Sequence, residues 1–133
     1  MKVYLCGGIN GLSDDRCRTW REYSKERLEC ETIDPMRRDY RGIEDQNVAA
    51  IIDGDKADID ASDVLLVNAT QPSWGTAMEV LYAWEHGKPC FCVASERISP
   101  WLRYHSTAIF DDINDAIRAI NSGFQCAQAQ QNP

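Results

Sequence analysis

Gln71-Pro72-Ser73-Trp74-Gly75-Thr76-Ala77-Met78-Glu79 is the stretch on which the reading of this chain turns. Just before it, Val64-Leu65-Leu66-Val67 is a short apolar run that leaves through polar Asn68-Ala69-Thr70, the pattern of a buried strand and its exit. Just after it, Ala77, Val80, Leu81 and Trp84 recur at helical spacing. Ser73 or Thr76 can cap that helix, and Gly75 lets backbone come close to a ligand. Glu79 then falls in about the first turn. In an open α/β sheet, ligands bind beyond the carboxyl ends of the strands, near helix N-termini. A glutamate there also has a plain explanation, because it faces the positive end of the helix dipole. The rest of the chain decides between the two.

Upstream, Lys2 to Cys6 reads as a first strand ended by Gly7-Gly8, a glycine pair suited to a tight turn whose amides face a ligand. The spacing is not GxGxxG, so it does not indicate a dinucleotide fold. Asn10-Gly11 continues the turn. Ser13 or Asp14 can cap a helix running to about Leu28, and Thr32-Ile33 is a short strand stopped by Asp34-Pro35. Met36-Arg37-Arg38-Asp39-Tyr40-Arg41-Gly42 then sets three arginines and a tyrosine in seven residues. This is either a solvated loop or a clamp for an anion or base, since arginine grips phosphate bidentately and tyrosine can stack. Residues 44–61 are helical in pattern, with Gly54 as a weak spot. Five aspartates lie between positions 53 and 63, of which one is expected to face a site. Asp63, directly before a strand, reads as a turn residue.

Downstream, Cys90 to Ala94 is a fourth strand. A loop follows, with a helical turn around Ser99-Pro100-Trp101-Leu102. Ala108-Ile109-Phe110 is a fifth strand, and Asp111 to Ile120 is an amphipathic helix. Strand and helix alternate throughout. The expected fold is α/β: a single flavodoxin-like or Rossmann-like open sandwich, with a five-stranded parallel sheet in the order 2-1-3-4-5 and helices on both faces. Residues 1–121 form the domain, and 122–133 read as a frayed tail.

With 133 residues, 44% of them hydrophobic, the chain suits one domain with a packed core. The formal charge of −7 argues against non-specific binding to duplex nucleic acid or an anionic membrane. The apolar run at the start is too short for a signal peptide or membrane span, and no later stretch approaches 18 apolar residues. The expectation is a soluble, cytoplasmic protein. Its six cysteines include no CxxC pair, and neither histidine has a metal-ligand partner at helical spacing. Reduced, buried thiols and no metal are expected.

Three stretches together resemble the nucleoside 2-deoxyribosyltransferase family, including its branch of 2'-deoxynucleoside 5'-monophosphate N-glycosidases, over roughly residues 2 to 120. They are Val3-Tyr4-Leu5-Cys6-Gly7-Gly8-Ile9; then Asp55 with Ile59 and Ser62-Asp63-Val64-Leu65-Leu66; then residues 71–79 with Ala83 and Gly87-Lys88-Pro89. Residues 34–42 and 101–106 are similar to a phage and bacterial subgroup. The resemblance implies that Glu79 attacks the anomeric carbon of deoxyribose, that Asp55 donates a proton to the departing base, and that Tyr4 orients the nucleophile. Asp58 and Asp60 are the alternatives to Asp55. Gly7, Gly8, Asn10, Arg37, Arg38, Tyr40, Ser73, Gly75 and Ser99 are the implied substrate-binding positions. Ser73 leans toward a 5'-phosphate. The monophosphate branch has a serine and an arginine where this chain has Gly8 and Asn10, so the positive charge falls to Arg37, Arg38 or Arg103. No cofactor is implied. The partner is a small nucleoside or nucleotide, and the family suggests a homodimer or larger homo-oligomer in which a neighbour, through Ser99, completes the site.

Two other readings stand beside the enzyme. One is a silent nucleotide-binding or sensing module on the same fold. The other is an interaction protein whose Trp74, Trp84 and Trp101 are interface aromatics. The joint presence of Tyr4, Asp55 and Glu79 favours the enzyme.

Overall fold

The computed structural model describes residues 1–95 and 97–123. Most of the expected tail, with Cys126, lies outside the described residues. The elements, in chain order, are β1 (Lys2–Gly7), α1 (Asp14–Arg27), β2 (Glu31–Ile33), α2 (Val48–Ala61), β3 (Val64–Asn68), α3 (Trp74–Glu85), β4 (Cys90–Val93), α4 (Pro100–His105), β5 (Ala108–Phe110) and α5 (Ile113–Asn121). Short 3-10 turns cover Pro35–Arg37 and Glu44–Gln46. The five strands form one sheet in the order β2-β1-β3-β4-β5, and every pairing is parallel.

The two-residue period of the strands sorts the core into two layers. Val3 and Leu5 of β1, with Val64, Leu66, Phe91 and Val93, face Leu28 and the α5 residues Ala116, Ile117 and Ile120. Tyr4 and Cys6 point the other way. In register, Tyr4 lies beside Leu65 and Cys6 beside Val67, while Leu65 and Val67 pair with Cys90 and Cys92. That layer is closed by Ile59 of α2 and by Val80 and Ala83 of α3. The face carrying Tyr4 and Cys6 is therefore the one covered by α2 and α3.

Two helical segments differ from the sequence reading, and α3 takes the first of its two expected caps. The segment 44–61 is not one helix, because a 3-10 turn ends at Gln46 and α2 begins at Val48. α4 runs to His105 rather than making a single turn. α3 starts at Trp74 because the Ser73 hydroxyl accepts from the Thr76 amide at 3.2 Å. Glu79 is thus in the second turn, where the helix dipole has faded, and the plain explanation for it weakens. Asp63 is the turn residue expected, accepting from the Lys2 amide at 2.7 Å. Among the described residues, no helix is long and apolar enough to cross a membrane.

Candidate active site

Glu79 projects from α3 onto the end of β1. Its Oε2 accepts from the Cys6 thiol at 3.5 Å. Its Oε1 faces Gly75, 3.9 Å from where a β-carbon would stand. The Tyr4 hydroxyl is buried in the same corner, close enough for its charge to couple to Glu79, but it meets no partner at full hydrogen-bond geometry. Burial pushes that phenol well above its ordinary range. The Thr76 hydroxyl, one turn before Glu79, is likewise buried without a partner. Among the described residues these two hydroxyls are the buried side-chain atoms left unsatisfied. Buried polar groups normally find a partner, and Thr76 lines a cavity beside Glu79, so its orphan hydroxyl marks where a ligand would supply a bond.

That cavity has a volume of about 560 Å³ and is walled by α2, α3 and the loop after β2. Asp55 and Glu79 face it from opposite helices. Enclosure is the main cause that pushes both carboxyls up: Glu79 to about 7, helped by the Asp55 charge and opposed by Tyr4, Cys6 and Arg21; Asp55 to about 6, with Arg38 pulling down and Asp58 pushing up. Two carboxyls that interact this way titrate as a pair.

Of the alternatives to Asp55, neither faces the cavity. Asp58 is gripped bidentately by Arg37 at 2.9 and 2.7 Å and by Arg38 at 2.7 Å, which hold its carboxyl below the usual range. Asp60 accepts from the Tyr82 hydroxyl at 2.9 Å. The loop's third arginine, Arg41, pairs with Asp39 and Asp14. All three arginines read as a possible anion clamp are thus engaged by carboxylates of this acidic chain. Arg38, Tyr40 and Arg41 still line the cavity, whereas Arg37 does not.

Gly7, Asn10, Ser73 and Gly75 also line it. Asn10, Ser73 and Gly75 are shared with an adjoining cavity of about 630 Å³, where Gly8 lies. Ser99 caps α4, accepting from the Trp101 amide at 3.1 Å, and lines neither cavity within one chain.

Several residues at the site carried no functional signal in the sequence. Arg21 is fully buried and donates to the carbonyls of Leu5, Cys17 and Gly7, pinning the end of β1 under Glu79. Its position inside an ordinary helical run gave no warning. Arg16 lines the adjoining cavity and makes no ion pair among the described residues. Thr76 was legible only as a possible cap. Cys6 was legible as a core thiol, and its carboxylate partner was not. Among the described residues no three His, Cys, Asp or Glu side chains converge as a metal site.

A sequence model described as "Nucleoside 2-deoxyribosyltransferase" matches residues 3–123. No curated protein sequence matches. Among solved structures, similar folds include a 2-deoxyribosyltransferase from Bacillus psychrosaccharolyticus, 19% identical over 88% of this chain and 90% of that one, with a TM-score of 0.67. A 2-desoxiribosyltransferase from Leishmania mexicana is 15% identical over 92% and 97%, with a TM-score of 0.61. A CMP N-glycosidase from Clostridium botulinum is 18% identical over 92% and 99%, with a TM-score of 0.58. At these identities the likeness is one of fold.

Proposed function

The chain belongs to the nucleoside 2-deoxyribosyltransferase family, and from that membership we propose that it breaks the N-glycosidic bond of a 2'-deoxynucleoside or its 5'-monophosphate through a covalent glycosyl-Glu79 intermediate. The observation that carries this reading is the pair Glu79 and Asp55, two carboxyls that face one cavity from α3 and α2. The reaction needs one anion and one acid. Glu79 Oε1 attacks C1' of the sugar. The C1'–N bond breaks, its electron pair stays on the base nitrogen, and the Asp55 proton neutralises the departing base. Water, giving its proton to the Asp55 carboxylate, or a second base then attacks C1', and the C1'–Oε1 bond breaks to release the Glu79 carboxylate. The Tyr4 hydroxyl steers the nucleophile. The comparison proteins are described as two deoxyribosyltransferases and an N-glycosidase, so both outcomes are consistent with this fold.

The base lies in the cavity between Tyr40, Ile51, Ile52 and Met78. The 5' end of the sugar lies over Ser73 and Gly75, at the junction with the adjoining cavity. Arg16 lines that side and has no ion-pair partner among the described residues, while Arg37 and Arg38 are held by Asp58. This arrangement favours a 5'-monophosphate over a free nucleoside.

The functional unit is a homo-oligomer. Trp74, Met78, Trp101 and Tyr104 are 91%, 70%, 73% and 71% exposed on neighbouring helices α3 and α4, and exposed apolar patches mark interaction sites. Ser99 opens α4 and would reach a neighbour's site from that face.

The test is incubation with each deoxynucleoside and each 5'-monophosphate, with and without an acceptor base, followed by detection of free or exchanged base. Turnover is expected, greater on monophosphates, and Glu79→Ala should lower it by a factor of about 10³ or more. No turnover on any substrate defeats the proposal. Full activity in Glu79→Ala defeats the covalent route.

A further inference from the structure

The buried thiols among the described residues differ in what they touch. Cys17 donates to the carbonyls of Ile9 and Leu12, Cys90 to that of Lys88, and Cys92 shares a hydrogen bond with the Ser106 hydroxyl. Those are the contacts of core residues that happen to carry a weak donor. Cys6 alone among them has a carboxylate as its partner, Glu79 Oε2 at 3.5 Å. Cys6 is fully buried. Its backbone position is set by register with Val67 on one side and by Arg21, which donates to the carbonyls of the residues flanking it in β1, Leu5 and Gly7. The donor therefore sits on a rigid strand and cannot follow the carboxylate if the latter turns.

The two oxygens of Glu79 are consequently inequivalent. Oε2 is tied back to the sheet. Oε1 faces the bare side of Gly75, at the cavity wall. We propose that Cys6 is a positioning residue for the nucleophile: its thiol holds Glu79 Oε2 so that Oε1 is the oxygen presented to the sugar. This rests on the reading of Glu79 as nucleophile, but the contact itself can be tested without turnover.

Two further facts agree with the geometry. Burial pushes the Cys6 thiol well above its ordinary range, so it remains a neutral donor across the working pH. A hydrogen bond to the ionised form favours ionisation, so Cys6 works against the burial that raises Glu79. The groups facing Glu79 are Asp55 from α2, Tyr4 and Cys6 from β1, and Arg21 from α1. Asp55 pushes its proton affinity up, and the other three pull it down. Removing the thiol leaves Tyr4 and Arg21 to oppose burial and Asp55 alone.

The experiment compares wild type, Cys6→Ala and Cys6→Ser. The Glu79 carboxyl is titrated by carbon NMR on protein labelled at the glutamate carboxyl, with Glu79→Gln identifying the resonance. Pre-steady-state and pH-dependent kinetics are measured on the best substrate from the panel above. Cys6→Ala is expected to move the Glu79 titration to higher pH, to move the acid limb of kcat/KM with it, and to lower kcat by roughly tenfold. Cys6→Ser, which keeps a donor, is expected to bring both titration and limb back toward wild type. If Cys6→Ala does not fold, Cys6→Val fills the space without a donor and takes its place. An unchanged Glu79 titration in the donor-free variant overturns the proposal. So does equal damage in the serine and alanine variants with unshifted acid limbs, the mark of packing alone. If wild type turns over no substrate, the functional reading fails, yet the NMR titration still decides whether Cys6 governs Glu79.

Discussion

Burial and the neighbouring Asp55 raise the proton affinity of Glu79. Its folded-state pKa of about 7 lies above the ordinary 4.5. Protonated, it contributes stability that is fully present below pH 4.5 and is lost as pH rises through about 7. Glu79→Gln mimics the protonated form at every pH. The variant is therefore expected to melt above wild type at pH 8, by no more than about 3 kcal/mol of stability, with the gap closing toward pH 4.5. Thermal melts at the two pH values check this, and a gap that does not depend on pH refutes it. A residue that weakens the fold where it would work is what a reactive group, rather than a structural one, is expected to do. At this scale the sequence was informative about which side chains share a face. Tyr4 and Cys6 are two apart on a strand, so they point to the same layer. It was silent on what Cys6 touches, because a thiol reads as apolar until a carboxylate is beside it.

Helix α2 decides which aspartate faces the cavity. Asp55 and Asp58 are three apart and adjacent on the helix surface. Arg37 and Arg38 reach back from the loop after β2 and claim Asp58, and the bare backbone of Gly54 lets the Arg38 guanidinium lie 3.0 Å from where a β-carbon would be. The weak spot in the helix is thus the place where the arginine crosses. Asp55, 3.7 Å from Arg38, is left as the carboxyl facing the cavity. Asp58→Asn removes the charge that helps raise Asp55 and releases Arg38 toward it. Both changes lower the Asp55 pKa. A general acid must be protonated to act, so the basic limb of kcat is expected to move to lower pH and activity at pH 7.5 to fall several-fold, about the scale of an opposite charge brought close. A pH–rate profile of the variant is the check, and a limb that stays in place counts against Asp55 as the acid. The helix pattern of residues 48–61 was readable from spacing. The division of labour among its aspartates was not, because it depends on arginines some twenty positions away.

For the whole molecule, the sheet order puts the ends of β1 and β3 side by side, so the turns after them, and the two cavities they border, meet at Ser73 and Gly75. The apolar face of α3 and α4 begins where those cavities end, at Trp74 and Met78. If a second copy covers that face, Trp101→Glu should reduce the assembly to monomers and lower activity, while the far-ultraviolet circular dichroism stays that of wild type. Light scattering on the eluted peak measures the mass. A wild-type protein that runs as a monomer would show that the face serves something else.

The amino-acid order by itself determined the alternation of strand and helix, the parallel sheet, and the placing of a glutamate after the third strand, since these follow from periods of two and 3.6 and from turn residues close by in the chain. The tertiary structure alone decided that Cys6 meets Glu79 across 73 positions, that Arg37 and Arg38 belong to Asp58 and not to an open anion clamp, and that Arg16 has no carboxylate partner among the described residues. The physical reason is that charge and hydrogen-bond partners are chosen by distance in space, and those distances exist only once the crossovers have packed the helices onto the sheet.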